Sequence, residues 1–294
     1  MDDAALSPIL SELHQAAERL WEACAPLCPG LVLDVVPEID STNTALMSQG
    51  RRGDTWPTAM VAVRQTAGRG RRGRDWVAHP GDTLTFSLGL PLQLDAVPGG
   101  GSALSLAVGL ALAEALDAGL RTHLHGVGMP PAIGLKWPND LWLGERKLGG
   151  ILIEATPAPG LPEGQRWVVI GVGLNVRSAN SAVPVPGSAC LPSPAPGLGE
   201  VWGWLVPALI RTVQAFERNG FAPLQAAYAR RDVLRGRPVQ LWTAAASLPA
   251  TGAGAPAADQ SGIAQGVDNS GALLVHTDQG LQRWHAGDVS VRPA

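Results

Sequence analysis

The sequence contains few cysteines and few aromatic residues other than tryptophan. Its three cysteines, Cys24, Cys28 and Cys190, are odd in number and lack metal-ligand spacing, which argues against a zinc site. On a helix, Cys24 and Cys28 would share a face, which favours a small buried pair. One Tyr and three Phe stand against ten Trp, so we expect indoles to do packing work that Phe does in other proteins.

The chain also lacks a leader-peptide pattern and a long apolar run. Residues 2 and 3 are acidic and no basic segment follows the first Met, so the start does not resemble a secretory signal. No uninterrupted apolar run reaches the ~20 residues needed to span a bilayer. We therefore expect a soluble, cytoplasmic protein without a membrane partner.

Charge is scarce and nearly balanced. The sequence has 22 Lys and Arg against 25 Asp and Glu, a net charge of −3. Proteins that bind nucleic acid usually spread basic charge over a whole face, so this balance argues against a general nucleic-acid role. The exception is local, because residues 65–76 contain four arginines with glycines between them, at positions 69, 71, 72 and 74.

This arginine-glycine loop (residues 65–76) is the first candidate site. Its guanidiniums repel one another and no acid separates them, so the loop gains most when an anion accepts their charge-assisted hydrogen bonds. Glycine lets backbone N–H groups approach that anion. The alternative is a solvated basic loop or a nucleic-acid contact. Apolar strand-like runs over 58–63 and 83–88 flank the loop, so we favour an anion site on a scaffold, mobile when empty and ordered when filled.

Three further segments carry candidate site residues. Asp40-Ser-Thr-Asn-Thr44 is a helix N-cap signal, and its polar side chains could also line a site at the helix start. Lys136 ends a short apolar run that predicts a strand, so its ammonium would point into any pocket at the end of that strand. Glycines at positions 149, 150, 171 and 173 interrupt two apolar runs. Because glycine weakens a strand unless something approaches its backbone, we expect a ligand against the sheet there.

Periodicity predicts a chain of mixed helices and strands. Helices are predicted over residues 6–24, 102–118, 200–219 and 222–235. Strands are predicted over 31–36, 58–63, 83–88, 147–154 and 168–176, the last two central and buried. Five short strands follow, over 238–242, 262–267, 272–276, 281–285 and 289–292. Residues 119–132 are predicted to be irregular, with His123 and His125 alternating as on a strand edge, and 177–199 and 243–262 to be low-complexity loops.

These elements predict an α+β fold in three parts. The parts are an N-terminal helical segment, 1–30, a catalytic domain with mixed sheet and helices, 31–235, and a small C-terminal β-barrel, 236–294. Some thirty residues before the first strand are too few for a helix-turn-helix domain, so we expect no sequence-specific DNA binding.

Five segments, taken in order, carry a family resemblance. They are Asp40-Ser-Thr-Asn43, Gln65 with Gly68-Arg-Gly-Arg-Arg-Gly-Arg74 and Trp76, Lys136-Trp-Pro-Asn-Asp140, Lys147-Leu-Gly-Gly-Ile-Leu-Ile-Glu154, and Gly171-Val-Gly-Leu-Asn175. Over about residues 34–292 the chain resembles the biotin protein ligases, or biotin–[acetyl-CoA-carboxylase] ligases. The resemblance implies a biotin/lipoate ligase-like catalytic domain and an SH3-like C-terminal barrel, in the ligase-only form without an N-terminal DNA-binding domain.

The resemblance also assigns site residues by position. Biotin is assigned to Ser41, Thr42, Asn43, Gln65, Arg69, Gly70, Arg71, Lys136, Gly149 and Gly150. The nucleotide is assigned to Arg71, Arg74, Trp76, Lys136, Asn139 and Asn175. Lys136 and Arg71 become the catalytic residues, with Lys136 between the biotin carboxylate and the α-phosphate of ATP. The ligands of the metal stay unassigned.

Such an enzyme uses ATP and Mg²⁺ to activate biotin as biotinyl-5′-AMP. It then transfers biotin to a lysine of the biotin carboxyl carrier domain of acetyl-CoA carboxylase or a related carboxylase. Dimers are common in the family, but no segment of this sequence identifies a homodimer interface. Three alternatives stay open: a lipoate or octanoyl transfer enzyme of the same fold, a nucleic-acid-binding module, and a catalytically silent adaptor.

Overall fold

The computed structural model describes residues 3–125, 128, 132–177, 187–243, 258–286 and 289–293. Its main element is a seven-stranded mixed sheet in the order β1-β2-β3-β7-β6-β5-β4. The pair β1 and β2 is parallel, and the other pairs of this sheet are antiparallel. A five-stranded antiparallel sheet follows, in the order β11-β10-β9-β8-β12.

The helices and strands have these bounds. The helices are α1 Asp3–Cys24, α2 Thr42–Arg51, α3 Leu104–His123, α4 Leu198–Asn219 and α5 Gln225–Ala229. The strands of the main sheet are β1 Val32–Ile39, β2 Thr58–Gln65, β3 Thr83–Leu92, β4 Gly134–Lys136, β5 Asp140–Leu143, β6 Arg146–Thr156 and β7 Arg166–Asn175. Those of the second sheet are β8 Pro238–Thr243, β9 Gln260–Val267, β10 Leu273–Thr277, β11 Gly280–Trp284 and β12 Val289–Pro293.

The main sheet separates two hydrophobic cores. Along β7, Val168 and Ile170 belong to the larger core with α1, α3 and α4, whereas Trp167 and Val169 belong to a smaller core with α2. Successive strand residues point to opposite faces, so α2 covers one face and the long helices cover the other. This places the start of α2 on the face opposite the main core, where polar side chains can gather.

Tryptophan fills the cores, as its abundance predicts. Trp137, Trp167 and Trp202 are among the largest fully buried side chains. Trp167 donates from Nε1 to the Leu46 carbonyl at 2.8 Å, and a Cβ at Gly50 would overlap its ring. The small core therefore depends on a glycine that lets α2 approach the indole.

The predicted strands are all present in the predicted order, but the structure adds β5, Asp140–Leu143, where only a turn was predicted. β7 is the middle strand of the main sheet and is buried along most of its length, and β6 lies beside it but is only half-buried at several positions. The five short C-terminal strands form the second sheet. The division into parts at 30/31 and 235/236 stays a prediction.

Two helix predictions are wrong in extent. Helix α3 continues to His123, so residues 119–123 are helical and His123 does not lie on a strand edge; Gly119 there packs so closely on Trp204 that a Cβ would overlap the ring. Residues 222–235 are not one helix, because the chain leaves α5 to pair with β4: Leu135 donates to the Arg231 carbonyl at 2.8 Å. Backbone pairing with the sheet replaces helical hydrogen bonds there.

Helix α3 accounts for the most apolar stretch of the chain. The segment Gly101–His123 is long and apolar enough to cross a membrane by length and composition. However, 72% of an 18-residue apolar stretch within it is buried inside the protein. Its apolar surface is therefore used in the main core.

Residues 178–186 and 244–257 of the two low-complexity segments lie outside the described residues. Of the part that is described, residues 187–197, Ala189 and Leu191 are buried against the protein.

Candidate active site

A polar pocket of about 480 Å³ opens where α2 begins. Eight of the residues assigned to biotin line it: Ser41, Thr42, Asn43, Gln65, Arg69, Gly70, Arg71 and Gly150. Phe86, Ile151 and Val172 add apolar surface. Residues distant in sequence meet here because β2, β3, β7 and β6 are neighbours in the sheet.

The start of α2 supplies the floor of this polar pocket. Ser41 caps the helix, with its Oγ accepting from the Thr44 N–H at 3.4 Å. Thr42 donates its backbone N–H to Gln65 Oε1 at 2.8 Å, which ties the helix to the end of β2. Ser41, Thr42 and Asn43 are all buried. The N-cap prediction is confirmed, and the same residues also line the pocket.

A chain of buried hydroxyls continues from this floor. Thr42 Oγ1 and Ser87 Oγ lie 2.7 Å apart, and Ser87 donates to Asn43 Oδ1 at 2.7 Å. Each hydroxyl has one hydrogen, and because Ser87 gives its hydrogen to Asn43, Thr42 is the donor in its contact with Ser87. The same Thr42 hydroxyl also lies 3.2 Å from Gln65 Oε1, a second acceptor. Ser87 was not predicted as a site residue from the sequence. The sequence did carry a signal for Ser87: Thr83, Thr85 and Ser87 alternate with apolar residues along β3, which puts these polar side chains on one face of the sheet.

Two of the interrupting glycines make room for protein side chains. A Cβ at Gly171 would overlap Asn43 Oδ1, and a Cβ at Gly173 would overlap the Trp76 ring. The close approach predicted for a ligand is thus made by Asn43 and Trp76, which lie against the sheet themselves. Gly149 lines neither of the pockets described here, and its Cβ would come within 2.6 Å of the Gly173 carbonyl.

The arginine-glycine loop lies across this pocket and is anchored by its side chains. Arg69 pairs with Glu154 at 3.0 Å. Arg71 donates to Asn139 Oδ1 at 3.1 Å and, from its other terminal nitrogen, to the carbonyl of Ala286, which follows β11. Repulsion within the loop is relieved in part by Glu154, an acid on β6 that is distant in sequence. Whether the loop is mobile when empty stays a prediction.

A cationic pocket of about 790 Å³ adjoins the polar one. Lys136, Arg71, Arg72, Arg74, Lys147 and Arg292 line it, with Asp75 and Asp140 as its acids. Five residues line both pockets: Gly70, Arg71, Trp76, Asn139 and Lys147. The two spaces therefore share a wall, and Lys136 lies on the cationic side only.

Lys136 is a buried cation in this pocket, with 12% of its side chain exposed. Burial lowers the pKa of Lys136, and the neighbouring cations lower it further, while Asp140 opposes the shift. Asp140 lies 3.9 Å from Lys136 Nζ but 2.7 Å from Lys147 Nζ. Its carboxylate is thus engaged mainly by Lys147. Burial likewise lowers the pKa of Arg71. An incoming anion would stabilise the charged form of both groups.

Comparison with known proteins identifies the family. The pattern described as "Biotin/lipoate A/B protein ligase family" matches residues 35–175, and "Biotin protein ligase C terminal domain" matches residues 256–292. The biotin–[acetyl-CoA-carboxylase] ligase of Paracoccus denitrificans is 32% identical over 85% of this chain and 96% of that protein. The bifunctional ligase/repressor BirA of Escherichia coli K12 is 33% identical over 88% of this chain and 74% of that protein. The chain belongs to the biotin protein ligase family.

A solved structure agrees with this assignment. The biotin protein ligase from Aquifex aeolicus in complex with biotin and ATP superposes with a TM-score of 0.67, at 25% identity, over 90% of this chain and 99% of that one. The predicted fold class is therefore confirmed: a biotin/lipoate ligase-like α+β domain followed by a C-terminal antiparallel sheet.

One residue that the resemblance assigns to the nucleotide lies elsewhere in this biotin protein ligase. Asn175 lines neither described pocket; its Nδ2 donates to the Ala189 carbonyl at 3.1 Å, which holds the segment after residue 187 to the end of β7. Arg74, Trp76 and Asn139 do line the cationic pocket. Their roles toward a ligand stay predictions.

Two cations of the site were missed from the sequence of this biotin protein ligase. Lys147 opens a recognised segment but was given no role, and Arg292 lies on the last strand, β12, without a motif around it. Lys147 Nζ lies 5.8 Å from the centre of the Trp76 ring. Both residues reach the pocket through tertiary structure, which no local pattern reports.

Within the described residues, no group of three or more His, Cys, Asp and Glu side chains could hold a metal ion. Cys24 is buried and Cys28 half-buried, and burial raises the pKa of the Cys24 thiol to about 11. The predicted burial is therefore found for Cys24 and only in part for Cys28, while the expectation of no zinc site stays a prediction. His123 contacts Glu200 at 3.3 Å and the Pro194 carbonyl at 3.1 Å.

Proposed function

We propose that this biotin protein ligase joins biotin to ATP as biotinyl-5′-AMP and transfers the biotinyl group to a lysine of a biotin carboxyl carrier domain. The observation that carries the proposal is the shared wall between a polar pocket and a cationic pocket. A carboxylic acid seated in the first would present its carboxylate to a polyphosphate seated in the second. Arg71 and Asn139 lie on the wall itself.

The polar pocket suits the ureido ring of biotin, which offers two N–H donors and one carbonyl acceptor. Thr42 Oγ1 and Asn43 Oδ1 have lone pairs left after the hydroxyl chain is satisfied. Gln65 Oε1 is held by the Thr42 N–H, which leaves the Gln65 amide nitrogen to donate. The apolar surface of Phe86 and Val172 suits the remaining ring and chain.

The cationic pocket suits the triphosphate of ATP. Bringing a carboxylate to a phosphate costs repulsion unless a cation lies between them. Lys136 is buried beside the shared wall, and Arg71 and Lys147 belong to that wall. We assign Lys136 to the contact between the biotin carboxylate and the α-phosphate. The carboxylate oxygen attacks that phosphorus, pyrophosphate leaves, and the mixed anhydride remains in the two pockets.

The chain's residues are compatible with a Mg²⁺ ion bound together with ATP. Mg²⁺ usually takes one or two carboxylates plus substrate phosphates, and Asp75 and Asp140 are the two carboxylates that line the cationic pocket. When bound, the ion would neutralise phosphate charge. In the second step, the carrier lysine attacks the acyl carbon as a neutral amine and AMP leaves.

We also propose the cellular setting predicted from the sequence. The partner is a biotin carboxyl carrier domain of acetyl-CoA carboxylase or a related carboxylase, and the location is cytoplasmic, without a membrane or sequence-specific DNA. A homodimer is compatible with this proposal. Among the described residues before β1, the only helix is α1, which packs on α4: Glu12 accepts from the Gly199 N–H at 2.8 Å.

Incubation with ATP, Mg²⁺ and biotin, followed by mass analysis, tests the proposal. We expect biotinyl-AMP and pyrophosphate from biotin, and no adenylate from lipoate or octanoate at equal concentration. Adenylation of lipoate or octanoate in preference to biotin would favour the transfer-enzyme alternative. Absence of any adenylate from a folded protein would refute the proposed function.

A further inference from the structure

The arginine-glycine loop contacts β6 beyond the point where β5 stops pairing with it, through Arg69 and Glu154. The pairing of β5 with β6 ends at Asp140 and Gly150, whereas β6 continues to Thr156 along β7. Glu154 lies on this extension, with 22% of its side chain exposed. Glu154 is an acidic residue beside a loop of four arginines, and it has no part in the reaction proposed above.

Glu154 holds two groups of the polar pocket at once. Its Oε1 accepts from Arg69 Nη2 at 3.0 Å, and its Oε2 accepts from Arg69 Nη1 at 3.4 Å, a two-pronged pair. The same Oε2 accepts from Asn43 Nδ2 at 3.0 Å. The carboxylate therefore links the floor of the pocket to the loop that lies across it.

The hydroxyl chain fixes the orientation of the Asn43 side-chain amide in this link. Ser87 donates to Asn43 Oδ1, so the Asn43 amide must turn its nitrogen toward Glu154 and the Leu152 carbonyl. An ionised carboxylate only accepts hydrogen bonds and is therefore compatible with two donors, one from the floor and one from the loop. A neutral amide at position 154 could still accept from Asn43, but it would lose the charge attraction to Arg69.

We propose that Glu154 is a positioning residue that latches the arginine-glycine loop over the polar pocket through Arg69. The inference rests on the proposed function, because the ligand retained under the loop is the biotinyl adenylate. The latch holds the loop at Arg69, whereas the hydrogen bonds of Arg71 to Asn139 and Ala286 hold it two residues further along. Loss of either attachment would let the intermediate leave.

The test compares Glu154→Gln, Arg69→Gln and the double variant with the parent. Each protein is loaded with labelled biotinyl-AMP supplied from outside, and release of the label is followed after dilution into excess unlabelled biotin and ATP. Each single variant should release the adenylate about two- to fivefold faster, the range of a partly exposed charge pair. The double variant should be no faster than the faster single one, because both changes open one latch.

Glu38→Gln is the matched control. Glu38 forms a comparable ion pair with Arg64 at 2.9 Å, on β1 and β2, with both side chains about half-exposed. We expect parent-like release. Parent-like release from Glu154→Gln and Arg69→Gln, or factors that multiply in the double variant, would overturn the latch.

Limited trypsin digestion supplies a readout that needs no ligand or activity. Loss of the latch should expose the loop, so Glu154→Gln should be cut after Arg71, Arg72 or Arg74 faster than the parent and Glu38→Gln. Equal cutting rates would count against the latch. A parent that forms no adenylate would refute the proposed function, while the digestion would still decide whether Glu154 holds the loop.

Discussion

Replacing Lys136 with alanine should nearly abolish adenylate formation while leaving the protein folded. The lysine side chain is 12% exposed, and its nearest acid, Asp140, is engaged mainly by Lys147 at 2.7 Å. Its charge is therefore available to incoming anions. Two unit charges 4 Å apart interact by about 4 kcal/mol at an effective dielectric constant near 20, roughly a factor of 10³ in rate.

Other cations in the pocket limit the loss of adenylation rate in Lys136→Ala. Arg71, Lys147 and Arg292 line the same pocket and would keep part of the field, so we expect a fall of about 10²–10³-fold, the size found when one well-placed stabilising donor is removed. The assay is single-turnover formation of biotinyl-AMP, supported by biotin-dependent exchange of pyrophosphate into ATP.

Two comparisons make this result decisive. Lys136→Arg keeps the charge and should retain more activity than Lys136→Ala. Lys147→Ala should lose less, because Lys147 is 40% exposed and screened by water. A Lys136→Ala protein with parent-like unfolding and adenylation within tenfold of the parent would remove this lysine from the mechanism.

Three further predictions follow from the described contacts. Arg71→Gly should form adenylate but release it about ten- to a hundredfold faster, because it loses charge-assisted hydrogen bonds worth roughly 1.5–3 kcal/mol, and it should biotinylate bystander albumin. Lys136→Met, without ligand, should be more stable than the parent at pH 7, because burial lowers the pKa of Lys136. The advantage should shrink as pH rises above the lowered pKa, where the folded parent has already released the proton that the unfolded chain still binds. Gly171→Ala should weaken biotin binding and cost about 1–3 kcal/mol of stability, because its Cβ would overlap Asn43 Oδ1.

Each of these has a control and a result that would contradict it. Adenylate held by Arg71→Gly as long as by the parent would mean that the loop is not a lid. Denaturant midpoints that differ equally between Lys136→Met and parent from pH 7 to 10 would contradict the pKa argument. Gly203→Ala, where a Cβ meets open space in α4, should stabilise slightly, and a Gly171→Ala protein that behaves the same way would show that the Asn43 contact is unimportant.

Local signals predicted much of this site because they depend on neighbours in sequence. The cap at Ser41 needs only the next few residues, and Lys136 ends a strand that its own short apolar run predicts. The other strands, except β5, followed from apolar runs in the same way. These features were confirmed where the structure describes them.

What sequence reasoning missed depends on contacts between distant segments. Ser87 matters because β3 lies beside the start of α2, and Arg292 reaches the cationic pocket from the last strand. Glu154 became a partner of Arg69 only when β6 met the loop. The predicted helix after residue 222 failed for the same reason, since pairing with β4 outweighed local helical preference.

Besides the Arg292 side chain that lines the cationic pocket, the C-terminal part of the chain offers backbone carbonyls to residues in the loops of the main sheet. Trp137 donates to the carbonyl of Gly271 at 3.0 Å, and Arg71 donates to the carbonyl of Ala286. Every residue type has a carbonyl, so position 286 can change its side chain during evolution without losing the hydrogen bond. Position 271 is less tolerant, because its φ of +80° and the nearby Ala103 both require glycine. The tolerance for substitution is therefore uneven: Arg71 and Trp137, which donate these hydrogen bonds, are constrained and so is Gly271, whereas any residue type could supply the carbonyl at position 286.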